Sequence, residues 1–580
     1  MCGIGFVYSE KLDPIKLSLI ARHELTNRGP SWTVEKYSDK IFLHQSVLSI
    51  QTENSNIDKT LNKIDLDKES QFTLYNGEIY EGIEFDKTND FKTLNDIKKI
   101  EKLESFLKNV DGMFSLIRVN IESKNIHINA FRDVIGEKRI YYYCNKKERI
   151  LIIASTASFI FKVLKAFQLD ININHNSLLD YFQKRHYVNN FTSIKGIQLL
   201  NNGSKLTFNS FNFEIKITKY DSLLKFYDND LYQSIKNLKT FEYSLLIENS
   251  IKNDLLAMNN VNKKEVSQSF VFSGGIDSSL IAALSYKSKK IRIDNLFTLT
   301  FGDKDSVSIN APKLIKNWKV PHIIHDVYLE EYLYALNRCI ELQAAPVSTH
   351  SLPSSYILAQ LCSNFSKNLS SILVGGEGAD ELFLGYPYYL NSLLSNKVSG
   401  ALYSDNVRGN KDTFEKSYID INEENFVNNF YLDNGENNIS GSIRRNAFCD
   451  YKYQLPNVGL AAADVVSSDL GIEFRTPFTR FSTVKIAFNS PTNKLLDIKK
   501  QKSKFPLQNL FEKEFNEVPL RKSGFAGFPN EIENILDIKN DINEIDKFLQ
   551  NYFGFVKEDR DTRWKKINMA IFCNIHDLRF

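Results

Sequence analysis

Apolar and polar positions alternate in short runs through the first ~210 residues: Gly3–Tyr8, Lys40–Gln51, Gln71–Gly82, Met113–Asn120, Ile126–Phe131, Arg139–Cys144 and Ile150–Thr156. Each run is rich in β-branched and aromatic residues and is bounded by turn formers, with few long helical periods between them. Such runs predict an antiparallel or mixed sheet system. A polar stretch, Tyr220–Asn237, reads as a linker into a helix over Phe241–Ala257. Beyond it the pattern becomes apolar strand, Gly-rich turn, apolar helix. Ser269–Phe272, Ser273–Asp277 and Ser278–Tyr286 make one such unit; a strand at Leu296–Phe301 follows, and Ser370–Val374, Gly375–Asp380 and Glu381–Tyr386 make another. Strands alternating with helices predict a parallel, doubly wound sheet that binds ligands at the carboxyl ends of its strands. The Asn-, Asp-, Ser- and Gly-rich stretch from about 390 to 445 reads as loops and short helices inserted into this second unit. The change of pattern divides the chain into domains 1–215 and 216–580.

Composition removes several classes of function. A chain of 580 residues has room for two to four domains with real cores. Its 73 basic and 70 acidic side chains leave +3, no electrostatic case for a general nucleic-acid or membrane-surface binder. The apolar runs fall short of the ~20 residues a membrane helix needs. The start, Met1 to Glu10, lacks the basic and apolar regions of a signal peptide. Six cysteines are scattered without a CxxC pair, which predicts neither a disulfide framework nor a zinc site but a reducing, cytoplasmic setting. One of them, Cys2, is placed unusually. Removal of Met1 would leave it with a free α-amine whose pKa near ~8 suits a general base for the adjacent thiol. A thiolate made this way attacks amides. An ordinary buried cysteine at a strand start is the plainer reading of the residue taken alone.

Its companions reverse that order. Met1–Phe6, the turn Asn27-Arg28-Gly29-Pro30 and the segment Asn76-Gly77-Glu78-Ile79-Tyr80 resemble the class II, N-terminal-nucleophile glutamine amidotransferases, specifically the asparagine synthetases. Asp111–Phe114, Arg132-Asp133 with Gly136, and Thr192–Gly203 extend the resemblance over the whole domain. It implies Cys2 as nucleophile, the Asn76 amide and the Gly77 N–H as oxyanion hole, and Arg28, Glu78 and Asp90 as the glutamine-binding set. Two positions depart. Val47 stands where the family has an Arg that grips the glutamine carboxylate, and Ser31 replaces the Asp after the RGP turn. Arg28 and His44 are the cations nearby in sequence. Loss of a bidentate Arg weakens carboxylate binding by a few kcal/mol unless another cation replaces it.

In the second unit, Ser273-Gly274-Gly275-Ile276-Asp277-Ser278-Ser279 lies between an apolar strand and an apolar helix. Glycines let the backbone approach phosphate oxygens, and the helix N-terminus and serines supply donors. In this context the run resembles the pyrophosphate loop of enzymes that split ATP into AMP and pyrophosphate. Gly375-Gly376-Glu377-Gly378-Ala379-Asp380-Glu381 resembles the family's SGEGADE motif, with Gly375 for its Ser. The resemblance implies ATP and Mg²⁺ as cofactors, Asp277 and Asp380 as Mg²⁺ ligands, Gly376 at the phosphates, and Glu377 at the reacting carboxylate or the attacking ammonia. Asp464–Ser467 and Gly471–Phe478 match a further block, whose closing LD is replaced by Thr479-Arg480. Lys504 and Arg521–Phe525 resemble the C-terminal basic segment, whose catalytic lysine aligns with Lys522. Asn310 and Ala344-Ala345 replace acids of the family's acceptor loops.

The implied fold is α/β and α+β: an Ntn-type layered β-sheet amidotransferase domain, then a doubly wound parallel-sheet ATP-pyrophosphatase domain. The implied activity is glutamine-dependent amidation of a carboxylate through its adenylate, with ammonia passing between sites; small-molecule substrates (glutamine, ATP and an acceptor acid) are its partners. With aspartate as acceptor the product is asparagine. The alternative keeps the chemistry on another carboxylate, such as the uronic acid of a surface-polysaccharide sugar precursor. A silent scaffold would be expected to lose some of these motifs, and a tRNA-modifying enzyme is disfavoured by the neutral charge and the fused domain. Dimers are common in the family, so a homodimer is among the implied states.

Overall fold

A computed structural model describes the chain except residues 1, 12, 51–60, 83–88, 185–186, 188–189, 263–265, 303–305, 348, 367–370, 399–420, 521–531, 533–538, 554–558 and 580. Lys522 and the rest of Arg521–Phe525 therefore lie outside the described residues. The first unit carries β1 (Cys2–Ser9), β2 (Trp32–Tyr37), β3 (Ile41–Val47), β4 (Leu61–Lys63), β5 (Ser70–Glu81), β6 (Asp111–Glu122), β7 (Asn125–Arg132), β8 (Tyr141–Asn145), β9 (Ile150–Ala154), β10 (Gln198–Leu199), β11 (Ser204–Asn209) and β12 (Glu214–Lys219). They form a seven-stranded sheet, β10-β8-β9-β1-β3-β2-β4, and a five-stranded sheet, β12-β11-β7-β6-β5.

Period-two alternation explains the layering. Ile4, Phe6 and Tyr8 of β1, with Leu43, Leu151 and Ile153, meet Val119, Ile128 and Leu206 of the second sheet in one core. The opposite face of the first sheet, with Val7, Phe42 and Ile152, is covered by the helices Pro14–Leu25 and Ala157–Ala166. Tyr75, Ile79, Phe114 and Leu116 cover the outer face of the second sheet beneath the helix Ile100–Asn109. The result is helix, sheet, sheet, helix. Each large apolar side chain buried in these layers contributes about 1.5–3 kcal/mol before entropy is counted.

The second unit is built on a wholly parallel sheet of β13 (Ser267–Val271), β14 (Asn295–Thr300), β15 (His322–Asp326), β16 (Ser371–Val374) and β17 (Ile472–Arg475). Its order is β15-β14-β13-β16-β17. The chain winds outward from β13 through β14 and β15, then returns to the other side for β16 and β17. The switch point therefore lies between β13 and β16, where Phe270 pairs with Val374. Both Gly-rich turns leave adjacent strands at the same level, so a crevice opens between them. Two segments are more ordered than their composition predicts. The 220–237 stretch forms a short 3₁₀ turn and the helix Asn229–Asn237, because Phe226, Tyr232 and Ile235 have apolar surface to cover. Within 390–445, the helices Ile421–Asp433 and Asn438–Cys449 pack as a pair.

Buried charges lock the two units together. Arg28 Nη2 lies 3.1 Å from Asp464 Oδ2, and Lys138 Nζ lies 3.4 Å from Asp464 Oδ1. Arg480 reaches Asp111 Oδ1 at 2.8 Å and pairs with Glu137 as well. Such pairs contribute little net stability, but removing one partner strands a charge at a cost of about 3–5 kcal/mol. All six cysteines are free. Among the described residues no helix is long and apolar enough to cross a membrane.

Candidate active sites

The first site forms where β1 begins. Cys2 pairs with Val47 across β1 and β3, and its backbone N–H donates to Asn76 Oδ1 at 2.8 Å. Asn76, Glu78 and Tyr80 share one face of β5 because alternate strand residues do. Gly77 has φ +148°, and a Cβ there would collide with the Met113 carbonyl. Only glycine lets β5 approach β6 this closely at that point. Asn76 Nδ2 reaches Ser115 Oγ at 3.5 Å, a long contact that leaves the amide donor able to turn. Burial pushes the Cys2 thiol up to about 11, so the sulfur is protonated at rest and needs a base.

The pocket behind it is acidic. Asp90 accepts from Tyr75 Oη at 2.9 Å, from Phe91 N at 2.7 Å and from Ile79 N at 3.3 Å. Burial outweighs those donors and raises it to about 6. Glu78 is buried with no hydrogen-bond partner for Oε2 among the described residues, and burial beside Glu473 and Asp90 raises its pKa strongly. Arg28 donates through Nε to the Cys2 carbonyl at 3.3 Å, but its Nη2 is held by Asp464. His44 is likewise engaged, with Nδ1 3.0 Å from Glu35. Arg28 is thus committed to another carboxylate, and burial lowers the His44 pKa and disfavours its charged form, so neither offers a free cation in place of the missing Arg. If Asp90 grips the glutamine ammonium it must be ionised. The kcat/KM for glutamine hydrolysis then loses a further factor of about ten per pH unit below about 6, beyond the slope set by protonation of the α-amine base. Asp90→Asn lowers the plateau and removes that step from the pH profile; a profile unchanged in the variant rules out the role.

The second site lies at the switch point. Ser273 N donates to Ser278 Oγ at 3.1 Å, the two hydroxyls are 2.9 Å apart, and Gly275 N reaches Ser273 Oγ at 3.3 Å. The loop closes on itself and leaves the N-terminus of the helix Ile276–Ser288 without a side-chain cap. A Cβ on Gly376 would lie 2.8 Å from Asp277 Cβ, so the second loop rests directly on the first. A cavity open to solvent is lined by Ser273, Gly275, Asp277, Ser278, Gly376, Glu377 and Asp380, with Glu381 and Tyr386 alongside. Burial pushes Glu381 up to about 8. Ser279 is fully buried on the core side, and neither it nor Gly274 lines the cavity.

Asp277 and Asp380 converge on one cation. Lys504 Nζ lies 2.7 and 2.9 Å from the Asp277 oxygens and 2.7 Å from Asp380 Oδ1. Two carboxylates from neighbouring loops that share an ammonium are a donor set that suits a hard divalent cation. No group of three or more His, Cys, Asp or Glu side chains that could hold a metal ion is found among the described residues, so phosphate and water would complete such a sphere.

Several residues linking the sites lie in the matched segments Asn76–Tyr80 and Gly471–Phe478 but carried no role there. Tyr80 packs under the guanidinium groups of Arg480 and Arg475, at 4.7 and 5.2 Å from its ring centroid. Arg475 Nε holds Glu473 at 2.6 Å, and its carbonyl accepts from Gly375 N at 2.9 Å. Thr476 Oγ1 donates to the Glu377 carbonyl at 2.8 Å. β17 thus runs from the acidic pocket of the first site to the Glu377 loop of the second. Asn310, by contrast, accepts from Lys313 outside the cavity lining.

Residues 1–220 match the family model of the glutamine amidotransferase domain, and residues 257–533 match that of asparagine synthase. A putative glutamine-hydrolysing asparagine synthetase of Methanocaldococcus jannaschii is 22% identical over 73% of this chain and 65% of its own length. A second one from that organism is 25% identical over 67% of this chain and 76% of its own. The mouse glutamine-hydrolysing asparagine synthetase is 24% identical, and the match covers 54% of either chain. The chain thus spans just under two thirds of the first relative and about half of the mouse enzyme. A solved structure of the allosteric regulatory enzyme of purine biosynthesis matches at 10% identity over 56% of this chain and 80% of that one, with a TM-score of 0.26, too low to bear on the fold. With an amidotransferase module over the layered sheets and a synthase module over the parallel sheet, in that order and on one chain, the protein belongs to the family of glutamine-hydrolysing asparagine synthetases.

Proposed function

We propose that the chain is a glutamine-dependent amide ligase whose acceptor is aspartate. The convergence of Asp277 and Asp380 beside two Gly-rich turns at a switch point carries the reading, because that is a phosphate and cation site and not a packing feature. Domain 1–215 is the glutaminase and 216–580 the ligase. With Met1 removed, the α-amine of Cys2 takes the thiol proton, and the thiolate attacks the glutamine carboxamide carbon. The Asn76 amide and the Gly77 N–H stabilise the oxyanion. Asp90 and Glu78 hold the substrate's ammonium, and Arg28 orients the Cys2 backbone. Ammonia leaves, and water releases glutamate from the thioester.

In the second domain the acceptor carboxylate attacks the α-phosphorus of ATP and pyrophosphate departs, since an unactivated carboxylate is a poor electrophile. Ser273, Gly275, Ser278 and Gly376, which line the cavity, cradle the phosphates. Asp277 and Asp380 would hold a Mg²⁺, which neutralises phosphate charge when bound. Lys522 balances the charge that develops at the phosphates. Ammonia then attacks the acyl carbon, Glu377 takes its proton, and AMP leaves with the oxygen. With aspartate, ATP and glutamine, asparagine and pyrophosphate are expected in equal amounts; a chain that releases no pyrophosphate with aspartate is not an asparagine synthetase. One observation favours another acceptor in that event. Ala344 and Ala345 are buried where the family carries an acid, so an acceptor without an α-ammonium, such as a uronic acid, loses nothing there.

A further inference from the structure

Lys504 is placed with unusual care for a lysine in a chain so rich in them. It precedes the helix Phe505–Phe515 with a left-handed backbone, φ 48° and ψ 37°, which a side-chain-bearing residue adopts only at a cost. That conformation turns its stem under the Gly-rich loops, where the side chain is 8% exposed. A side chain on Gly385 would collide with both Lys504 Cε and Asp380 Oδ1, so the path of the stem depends on that glycine. The ammonium then touches three oxygens of two carboxylates at 2.7–2.9 Å. It stands at the centre of the donor set.

The two carboxylates and the ammonium together carry a charge of −1. A divalent cation bound by both carboxylates at about 2.1 Å would have to occupy the place the ammonium fills. Two cations there repel strongly in a half-buried setting. Incoming phosphates remove the conflict, because they give the ammonium a new anionic partner within reach of its flexible stem. Resting on the reading of Asp277 and Asp380 as the cation site, we propose that Lys504 is a resident counter-ion: it bridges the two loops through Asp277 and Asp380, excludes a divalent cation that arrives alone, and moves onto the phosphates when nucleotide and metal arrive together. This makes metal binding conditional on nucleotide and prevents the site from being filled unproductively.

The test is Mn²⁺ binding to the full chain, followed by the free-ion paramagnetic resonance signal, without nucleotide and with α,β-methylene-ATP. Lys504→Met keeps the stem and removes the charge. It should bind Mn²⁺ alone at least tenfold tighter than the wild type. The analogue should tighten wild-type binding at least tenfold but that of the variant less than threefold. Equal binding of Mn²⁺ alone by the two chains, or an equal gain from the analogue in both, overturns the proposal. Lys504→Gln, carried in parallel with circular dichroism, serves if the Met variant does not fold. Asp277→Asn separates the two levels of the reading. If it binds Mn²⁺ with the analogue as the wild type does, the assignment of the cation site falls, and the role of Lys504 with it. If only the variant comparison fails, the site stands and the counter-ion does not.

Discussion

Cys2→Ala should eliminate asparagine formation from glutamine, by at least ~10³-fold, while formation from ammonium salts stays within about twofold of the wild type. The expectation follows from what the substitution removes. The thiol is the only nucleophilic atom at the head of β1, where the backbone N–H meets Asn76 Oδ1. Alanine is as small a second residue as cysteine, so removal of Met1 is unaffected. Cys2 is buried, at 6% exposed, and trading its sulfur for hydrogen there costs about 1–2 kcal/mol of stability, too little to unfold the domain. The ligase site is untouched, and ammonia from solution still reaches it. Parallel assays with glutamine and with ammonium chloride decide the matter. Survival of the glutamine reaction would dismiss Cys2 as nucleophile, and equal loss of both would show a structural defect instead.

Asp277→Asn should give the complementary pattern. Synthesis from either nitrogen source should fall by ~10³-fold, together with pyrophosphate release, while glutamine hydrolysis persists. The substitution keeps the shape of the side chain and removes one of the two anions that face Lys504. Asp380 still pairs with that ammonium at 2.7 Å, so no charge is left stranded and the fold should hold. What is lost is charge at the phosphates, where a carboxylate-held cation is worth several kcal/mol. Loss of glutaminase activity as well would instead place the effect in the contacts between the domains. Those contacts exist: Arg28 grips Asp464, and the neighbours Ala463 and Ser467 of that aspartate line the nucleotide cavity.

Much of this molecule is legible in local sequence, for physical reasons that are themselves local. A strand that must cover both faces is apolar throughout, and a turn that must approach phosphate needs glycine, so Phe270–Asp277 and Ile372–Asp380 announce a strand and its loop. The alternation at Asn76, Glu78 and Tyr80 was likewise readable, although only its first two members had an evident use. Other features leave no trace at short range. Arg480 replaces the closing aspartate of a family block, with no partner evident in sequence; in the fold it is buried in a bridge to Asp111 and Glu137. Ser279 belongs to the loop motif, but the helical turn carries its side chain to the core. Lys504 resembles part of a basic segment in sequence, but only the fold brings it to Asp277, 227 positions back along the chain.

By itself, then, the sequence determined which segments become strands and helices, where the Gly-rich turns fall, and that a thiol stands at the second position, because backbone preference and the burial of apolar faces act over a few residues. Only the tertiary structure decided that Arg28 and His44 are committed to carboxylates and not to substrate, that β17 joins an acidic pocket to the Glu377 loop, and that a lysine fills the space between two aspartates. Charge pairing is settled by which groups are buried together, and that depends on contacts hundreds of residues apart, which no local pattern encodes.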